Sequence, residues 1–438
     1  MIEHFAGIDV GLSGVRASIV THQGRLVCTT RIAANTDVLS ATEVCTLGFA
    51  ALQKVMAKRR SRGLAGFAIA AVGPSPVLLK RNCQELKRIP LFPPNAGQNQ
   101  TDDLKARLVA ARAAWPNTFA KAESCVDLTG FAVAKFTGTA VMDHGTAVDY
   151  RSAGASLGLP TPDALPAAAI AGKVRARAAK SLGVASGIPV AVGCYDSTAD
   201  IAAAGFGPDR PAVIVIGSTL VMGRLTPKPV TDKSLRSTLH LGDGWFSGGW
   251  TNMAGSALRL GEQWLARPGA AGSGPVPLVL PYFLGERAPV WNRVASGAVL
   301  GLMADMKAGD VHRGILEGVV LSALDIADRL AVELGAVGNW TVTGGATRNP
   351  ELMQCLSDAL GARLDVIRYA ADAVGPALLA ARSCGHDITL PIVASWRPRR
   401  AATAYFKQRL SLYRRCHAAM LPLYAELRTI TRREGKQT

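Results

Sequence analysis

The sequence has 438 residues, of which 49% are apolar and 18% are charged. This composition is typical of a globular chain, and the length allows two domains of roughly 200 residues each. Basic residues exceed acidic ones by 49 to 32, which gives a net charge of +17. No basic motif interleaved with aromatic residues accompanies that charge, so we do not expect a nucleic-acid partner.

The eight cysteines are scattered and include no CxxC pair. This spacing disfavours a zinc site or a disulfide framework and favours free thiols in a reducing cytosol. The sequence shows no secretory signal, and the apolar segment 64–79 is interrupted by two glycines and two prolines. We therefore expect a cytoplasmic protein without a membrane partner.

Two segments share an unusual pattern, in which a strand enters a glycine-flanked polar turn and returns as a second strand. The first is FAGIDVGLSGVRASIV at 5–20, and the second is AVIVIGSTLVMGRL at 212–225. Glycine lets main-chain N–H groups turn toward a bound anion without a Cβ in the way. The pair predicts duplicated phosphate-binding domains that face each other across a nucleotide.

The elements after the first hairpin extend this pattern. We predict a third strand at 25–30, an amphipathic helix at 38–58 and a buried strand at 64–71, which together open a ribonuclease-H-like fold. Segment 74–120, rich in Pro and Asn, is predicted to be irregular, with loops that could line a pocket.

The second half begins in the same way after a junction at 208–211, which predicts domains at 1–208 and 209–438. We predict a long helix at 311–334, a strand at 340–343 and helices at 350–360 and 374–382. A basic helix at 403–430 is expected to pack its apolar residues, including Leu427, on the body of the domain.

Two aspartates are candidates for chemistry. Asp9, placed at the end of the first strand and inside the glycine turn, is interpreted as a Mg²⁺ partner acting through water, the alternative being an Asx turn. Asp196 follows the strand that ends at Gly193 and begins a helix. It is either a plain N-cap or a general base that accepts a proton from an attacking hydroxyl.

Two further glycine clusters suit a nucleotide. The amides and hydroxyls of Gly217, Ser218 and Thr219 could donate to phosphates. Residues Gly344, Gly345 and Ala346, between a strand and a helix, form a flat surface on which adenine could lie or where a helix start could meet phosphate. Their order along the chain is more specific than either cluster alone.

With these residues in place, the chain resembles the FGGY carbohydrate kinases, which include xylulokinase, ribulokinase and glycerol kinase. The most specific segment is PYFLGERAPVWNRVASGAVLGLMADMKAGDVHRGILEG at 281–318. The family's two phosphate turns are similar to GIDVGLSGVRA and IGSTLVMG, and its catalytic-aspartate segment is similar to GCYDSTAD. A helix that follows in the family resembles NMAGSALRLGEQWL, and the adenosine motif resembles TVTGGATRNPEL. The helix that closes the family's nucleotide cleft resembles VGPALLAARSCG.

The resemblance implies an α/β fold of two ribonuclease-H-like (actin-like ATPase) domains with a central interdomain cleft. It also implies phosphoryl transfer from ATP to a small sugar or polyol, with a ketopentose-like acceptor favoured, Asp196 as the base and Asp9 near Mg²⁺. The residues implied to bind nucleotide are Gly11, Ser13, Gly14, Gly217, Ser218, Thr219, Gly255, Gly344, Gly345, Ala346 and Asn349.

The chain departs from the family pattern on the sugar side. Leu12 stands where a threonine is usual, and Pro74, Ser75 and Pro76 replace the methionine-histidine-glycine of xylulokinases. The remaining polar candidates for substrate binding are Gln98, Asp143, His144, Asp149, Trp250, Asn252 and Glu286, of which Gln98, Asp143, Trp250 and Glu286 are preferred. A homodimer is possible. The alternatives are a sugar or nucleotide sensor with little catalysis and a chaperone-like or cytoskeletal ATPase of the same fold.

Overall fold

The computed structural model of the protein describes residues 2–58, 63–91, 104–182, 184–241, 244–266, 268–272, 274–367 and 374–434. These residues fall into two compact units. The first lies within Met1–Gly207, Leu239–Gly244 and Tyr369–Leu390, and the second within Pro208–Thr238, Trp245–Arg368 and Pro391–Thr438. In the described part, no helix is both long enough and apolar enough to cross a membrane.

The N-terminal segment of the first unit alternates strands and helices. Its strands are β1 (His4–Gly11), β2 (Gly14–Thr21), β3 (Leu26–Ala33), β4 (Gly66–Ala71), β5 (Pro76–Lys80), β6 (Gln84–Arg88), β7 (Ser124–Asp127), β8 (Met142–Asp143), β9 (Ala164–Leu165), β10 (Ile170–Lys173), β11 (Pro189–Ala191) and β12 (Cys194–Tyr195). Its helices are α1 (Ala41–Ala57), α2 (Leu104–Ala114), α3 (Pro116–Ala120), α4 (Leu128–Thr137), α5 (His144–Ala155), α6 (Ala176–Leu182) and α7 (Asp196–Ala203).

A seven-stranded sheet organises this unit, in the order β10-β11-β4-β1-β2-β3 with β12 also paired to β4. Strands β1, β2 and β3 are antiparallel neighbours, whereas β4 runs parallel to β1. All six residues of β4 are buried, as expected for a central parallel strand covered on both faces.

The remaining elements follow residue 208. The strands are β13 (Ala212–Ile216), β14 (Leu220–Thr226), β15 (Arg236–Leu239), β16 (Trp245–Thr251), β17 (Leu278–Leu280), β18 (Ala298–Leu300), β19 (Asn339–Thr343), β20 (Arg363–Ile367) and β21 (Ile392–Trp396). The helices are α8 (Gly255–Trp264), α9 (Ala308–Leu334), α10 (Pro350–Leu360), α11 (Val374–Ser383) and α12 (Arg400–Glu434).

The second sheet, β15-β16-β14-β13-β19-β20-β21, repeats the plan of the first. Strands β13 and β14 form an antiparallel hairpin, and β16 pairs antiparallel with β14. On the other side, β19 pairs in parallel with β13, and β20 pairs in parallel with β19. Each unit has its own cluster of buried apolar side chains. The prediction of two ribonuclease-H-like domains is confirmed.

Local sequence sets several helix ends. Ser40 and Glu43 form a capping box at the start of α1, each accepting a hydrogen bond from the other's backbone N–H. Helix α10 has an Asn349 cap, proline in its first turn and Gly361 in the left-handed conformation after its last residue. These are the residue types that satisfy unpaired amides and carbonyls at helix ends.

Two sequence predictions are corrected here. Segment 74–120 is more regular than predicted, because β5, β6, α2 and α3 lie in it. The C-terminal helix forms and buries Phe406, Leu410, Tyr413 and Tyr424, but Leu427 is exposed. Helix α11 packs against β1, β4 and α7 of the first unit, and its role in closing a nucleotide cleft stays a prediction.

Candidate functional site

The first glycine turn joins β1 to β2, with Gly11 and Gly14 facing each other across the hairpin. Gly14 has a φ of +139°, and a Cβ there would lie 2.2 Å from the Ile32 carbonyl oxygen, so only glycine fits. The Thr36 N–H and hydroxyl donate to the carbonyls of Leu12 and Gly11, respectively. The turn is thereby fixed from outside the hairpin.

Three charged residues form one row across β1, β2 and β3. Asp9 pairs with Arg16 in register, and Arg16 pairs with Arg31 on its other side. Arg16 Nη1 donates to Asp9 Oδ2 at 3.0 Å, and Arg31 Nη2 donates to the Ser13 hydroxyl at 3.0 Å. The cationic side chains of Arg16 and Arg31 therefore lie beside this turn. Neither arginine was identified from the sequence.

Asp9 itself lies within β1, two residues before the strand ends, and not inside the turn as predicted. Its carboxylate accepts from Arg16 and does not form an Asx turn. Burial raises the pKa of Asp9, while the charge and the hydrogen bond of Arg16 oppose that rise. Arg16 thus holds one carboxylate oxygen of Asp9, Oδ2.

Asp196 is the first residue of α7, and its Oδ1 accepts a hydrogen bond from the Ser197 N–H at 2.7 Å. Tyr195 occupies the N-cap position, so Asp196 is not the N-cap. The preceding Gly193 has a φ of +75°, and a Cβ there would lie 2.1 Å from the Ile69 carbonyl oxygen. Glycine is thus required at position 193, where the backbone bends before Asp196 begins the helix.

Sequence reasoning missed Asp200, one helical turn beyond Asp196. Residues at i and i+4 share a helix face. Burial raises the pKa of Asp200 well above its usual range, the nearby carboxylates of Asp9 and Asp196 raise it further, and Arg16 lowers it. These four side chains therefore share one electrostatic environment in the first unit.

The second glycine turn is bound to the start of α8. The Gly217 carbonyl accepts from the Gly255 N–H at 2.9 Å, and the Ser218 carbonyl accepts from the N–H groups of Ala254 and Ser256. Those amides at the helix start are engaged by protein carbonyls. Arg259, one turn along α8, donates to the Ser218 hydroxyl at 3.1 Å and is a further residue that sequence reasoning missed.

The segment after β19 lies beside that turn. Gly344 has a φ of +107°, and a Cβ there would approach the Ile216 carbonyl to 2.4 Å, while a Cβ on Gly255 would lie 3.6 Å from the Ala346 Cβ. The structure thus brings Gly217, Gly255 and residues 344–346 together. The side chain of Asn349 caps α10 by accepting from the Leu352 N–H at 3.0 Å.

The predicted substrate residues have different surroundings. Asp143 is buried and caps α5, where its Oδ1 accepts from the N–H groups of Gly145 and Thr146. Gln98 lies outside the described residues. The Trp250 ring packs edge-on against Trp291, with 6.0 Å between the ring centroids.

Glu286 is only 2% exposed. Its Oε1 accepts from the N–H groups of Asn252 and Arg287, both at 2.8 Å, whereas Oε2 has no hydrogen-bond partner among the described residues. Burial raises the pKa of this carboxyl to about 7, and the hydrogen bonds and the Arg287 charge oppose the rise. An unpaired buried carboxylate oxygen is costly and is suited to a hydroxyl donor.

These residues fit a magnesium nucleotide. A Cβ at Gly217 or Gly345 would meet no atom within 4 Å, so both present backbone to open space that a ligand could fill. Within the described ranges, no group of three His, Cys, Asp or Glu side chains could hold a metal unaided. Mg²⁺ beside phosphates keeps most of its waters and needs only one or two carboxylates, and the carboxylate of Asp9 is of that type.

Residues 212–384 match the C-terminal domain of the FGGY family of carbohydrate kinases. Over 109 residues the chain is 36% identical to glycerol kinase 2 of Pseudomonas aeruginosa, covering 24% of this chain and 22% of the relative. It is 26% identical to the xylulose kinase of Staphylococcus epidermidis over 289 residues, covering 59% and 57%. The matched segments thus span between about a fifth and three fifths of the length of these relatives.

A solved ligand-bound xylulose kinase from Lactobacillus acidophilus superposes with a TM-score of 0.87 at 16% identity, covering 97% of this chain and all of that one. At this identity the likeness establishes the fold. Residues 212–384 are therefore similar to the C-terminal domain of the FGGY family, and the chain has the two-domain fold of the solved xylulose kinase.

Proposed function

We propose that the protein is an ATP-dependent carbohydrate kinase that transfers the γ-phosphoryl group to a hydroxyl of a small sugar or polyol, with a ketopentose favoured. The family match at 212–384 and the names of the relatives support this activity. The observation that carries it is the placement of Asp196. It follows β12, which pairs with β4 beside β1, and its carboxylate and that of Asp9 both raise the pKa of Asp200.

In this proposal Asp196 is the general base. The acceptor oxygen attacks the γ phosphorus, the bond to the β–γ bridging oxygen breaks, and the hydroxyl proton passes to the Asp196 carboxylate. Ser197 holds one carboxylate oxygen through its N–H. That bond orients the carboxylate at the start of α7.

The second unit would bind the nucleotide. Gly217 and Gly345 offer open backbone, and Ser218 is oriented by Arg259. The first N–H groups of α8 are already hydrogen-bonded to the turn, so they are not counted as donors to phosphate. The backbone of the turn and the positive charge of Arg259 are the features that favour phosphate binding. Gly344, Gly345 and Ala346 are proposed to lie beside adenosine.

The first unit would supply the remaining charges. Asp9 would hold Mg²⁺ through water, and the ion would neutralise charge on the phosphates. Burial raises the pKa of Asp9, and the charge and hydrogen bond of Arg16 oppose that rise and so favour the ionised carboxylate. Arg31, which holds the Ser13 hydroxyl and carbonyl, adds positive charge to the first phosphate turn at Gly11, Ser13 and Gly14.

The test is Asp196→Asn, assayed as sugar-stimulated ADP release across a panel of ketoses and polyols. Turnover should fall by about 10²–10⁴-fold, because the base is lost, while ATP affinity stays near normal. Exposed Asp209→Asn serves as the matched control and should keep full turnover. Undiminished turnover in the Asp196 variant removes the base assignment.

One observation favours a second candidate, a sugar or nucleotide sensor with little catalysis. Ser75 is fully buried, and its hydroxyl accepts from Arg88 Nε at 2.9 Å. The one polar side-chain group of segment 74–76 is therefore hydrogen-bonded within the protein. Leu12 adds no hydroxyl to the first turn. Sugar binding by calorimetry without ADP release from any acceptor would support the sensor over the kinase.

A further inference from the structure

A cavity lies in the second unit, between the C-terminal helix and the segment that follows β17. It encloses about 210 Å³, which is room for about seven waters or one small ligand. Its walls come from segment 282–290, from α9 and from α12. None of the residues that line it is assigned above to nucleotide binding or phosphoryl transfer.

One wall of the cavity is aromatic. Tyr282 and Tyr413 are both buried, and their rings lie edge-on with 6.1 Å between the centroids. His417 adds a third ring, whose centroid lies 5.6 Å from that of Tyr282. Burial lowers the pKa of His417, and the charge of Asp325 opposes this shift. The aromatic wall is therefore uncharged near neutral pH and suits the C–H groups of a ligand.

A second wall is polar, and its side chains are fixed by one another. Asp325 is 4% exposed, and its Oδ1 accepts from Arg329 Nε at 3.2 Å and from Arg414 Nε and Nη2 at 2.9 and 2.6 Å. Arg329 Nη1 also donates to the Ser234 hydroxyl, and Arg414 Nη2 also donates to Asp328. A guanidinium group has five N–H donors. The wall therefore offers further donors beside a carboxylate of fixed orientation.

The balance of charge at this wall favours a ligand without charge. Asp325 contacts both arginines. Arg329 Nη1 also lies 3.6 Å from an oxygen of Asp232, and Arg414 Nη2 lies 2.8 Å from an oxygen of Asp328. Three carboxylates thus surround two guanidinium groups, so an anion would add to a local excess of negative charge, and a cation would meet both guanidinium groups. Hydroxyl groups avoid both costs, because they are neutral and can donate and accept hydrogen bonds.

We propose that this cavity is a binding site for a small neutral polyhydroxyl compound, separate from the proposed phosphoryl-transfer residues. The ligand's hydroxyl groups bond to Asp325, Arg329 and Arg414, and its carbon atoms pack on the aromatic wall. Because the polar side chains are already held in place, little ordering is needed when the ligand binds. Segment 282–290 also contains Glu286, so a bound ligand restrains the backbone on both sides of that candidate substrate residue.

The experiment is a calorimetric titration of the full chain with glycerol, xylitol and sorbitol in the absence of ATP, at up to about 10 mM ligand. Wild type should bind at least one of these polyols. Val290→Trp fills the cavity from segment 282–290 and should weaken that binding at least about tenfold. Arg329→Gln removes donors but keeps the bonds between Arg414 and Asp325, and it should weaken binding by a similar factor. Val393→Trp, at an exposed position on β21, is the matched control and should bind as wild type does.

Hydrogen exchange on wild type locates the binding without relying on a variant that folds. The bound polyol should slow amide exchange at 413–417 and leave β20 unchanged. The proposal is overturned if no polyol binds, if binding survives both cavity substitutions, or if exchange at 413–417 responds to inorganic phosphate and not to the polyols. These measurements use no ATP and read no turnover, so their failure would leave the kinase proposal untouched, and a chain without kinase activity could still pass them.

Discussion

Glu286→Gln offers a direct test of how burial controls a candidate substrate residue. Glutamine keeps an oxygen that can accept from the Asn252 and Arg287 N–H groups, and it removes the charge. The Glu286 carboxyl has a pKa of about 7 in the folded chain against 4.5 for the ordinary side chain, mainly because of burial. The neutral form is therefore favoured by folding.

The sign of the effect follows from that direction. A pKa raised by folding contributes stability below the unfolded value of 4.5, and the contribution is lost as pH rises through about 7. Between about pH 5 and pH 8 the loss for wild type amounts to about 2–3 kcal/mol. E286Q has no such proton, so its stability relative to wild type should rise by that amount over the same interval.

Urea unfolding followed by tryptophan fluorescence measures this change in the right unit, because six of the seven tryptophans lie beyond residue 244. Free energies of unfolding are compared at about four pH values for wild type, E286Q and the exposed control Glu262→Gln. The control should track wild type. If E286Q and wild type keep a constant difference in unfolding free energy from about pH 5 to pH 8, the burial argument for Glu286 is refuted.

Two glycine substitutions separate structure from ligand binding. Gly14→Ala should lower the free energy of unfolding by at least about 3 kcal/mol, because the φ of Gly14 and its approach to the Ile32 carbonyl exclude a Cβ. A loss of less than about 1 kcal/mol in urea unfolding would contradict this prediction. Gly345→Ala should change stability by less than about 1 kcal/mol, since a Cβ there meets open space. It should nevertheless weaken ATP binding by about tenfold or more in calorimetry, as an added methyl group displaces the nucleotide, and unchanged affinity removes Gly345 from the nucleotide site.

The repeated hairpins could be predicted because their signal is local. Alternating apolar residues on either side of a glycine turn define both strands and their register without help from distant parts of the chain. The same register would have revealed Arg16. Pairing Gly11 with Gly14 places Asp9 opposite Arg16, and the next hairpin places Arg16 opposite Arg31.

Asp200 could have been found by helical spacing, since it stands four residues after Asp196 on a helix that was predicted. Its raised pKa could not, because it depends on Asp9 and Arg16 from a different part of the chain. The contact made by Arg259 could likewise not be predicted from the sequence. Its hydrogen bond to Ser218 exists only because α8 begins against the second glycine turn.

Helix α11 shows why sequence order alone could not describe the first unit. A Cβ on Gly375 would lie 2.6 Å from the Ala199 carbonyl of α7, and a Cβ on Gly66 would lie 3.1 Å from the Ala380 carbonyl. These glycines let α11 approach both α7 and β4 closely, so a helix from far downstream fixes the element that carries Asp196. Nothing in the local pattern of 374–383 distinguishes a glycine that serves a turn from one that serves such a contact. The orientation of the proposed base therefore depends on packing that only the folded chain defines.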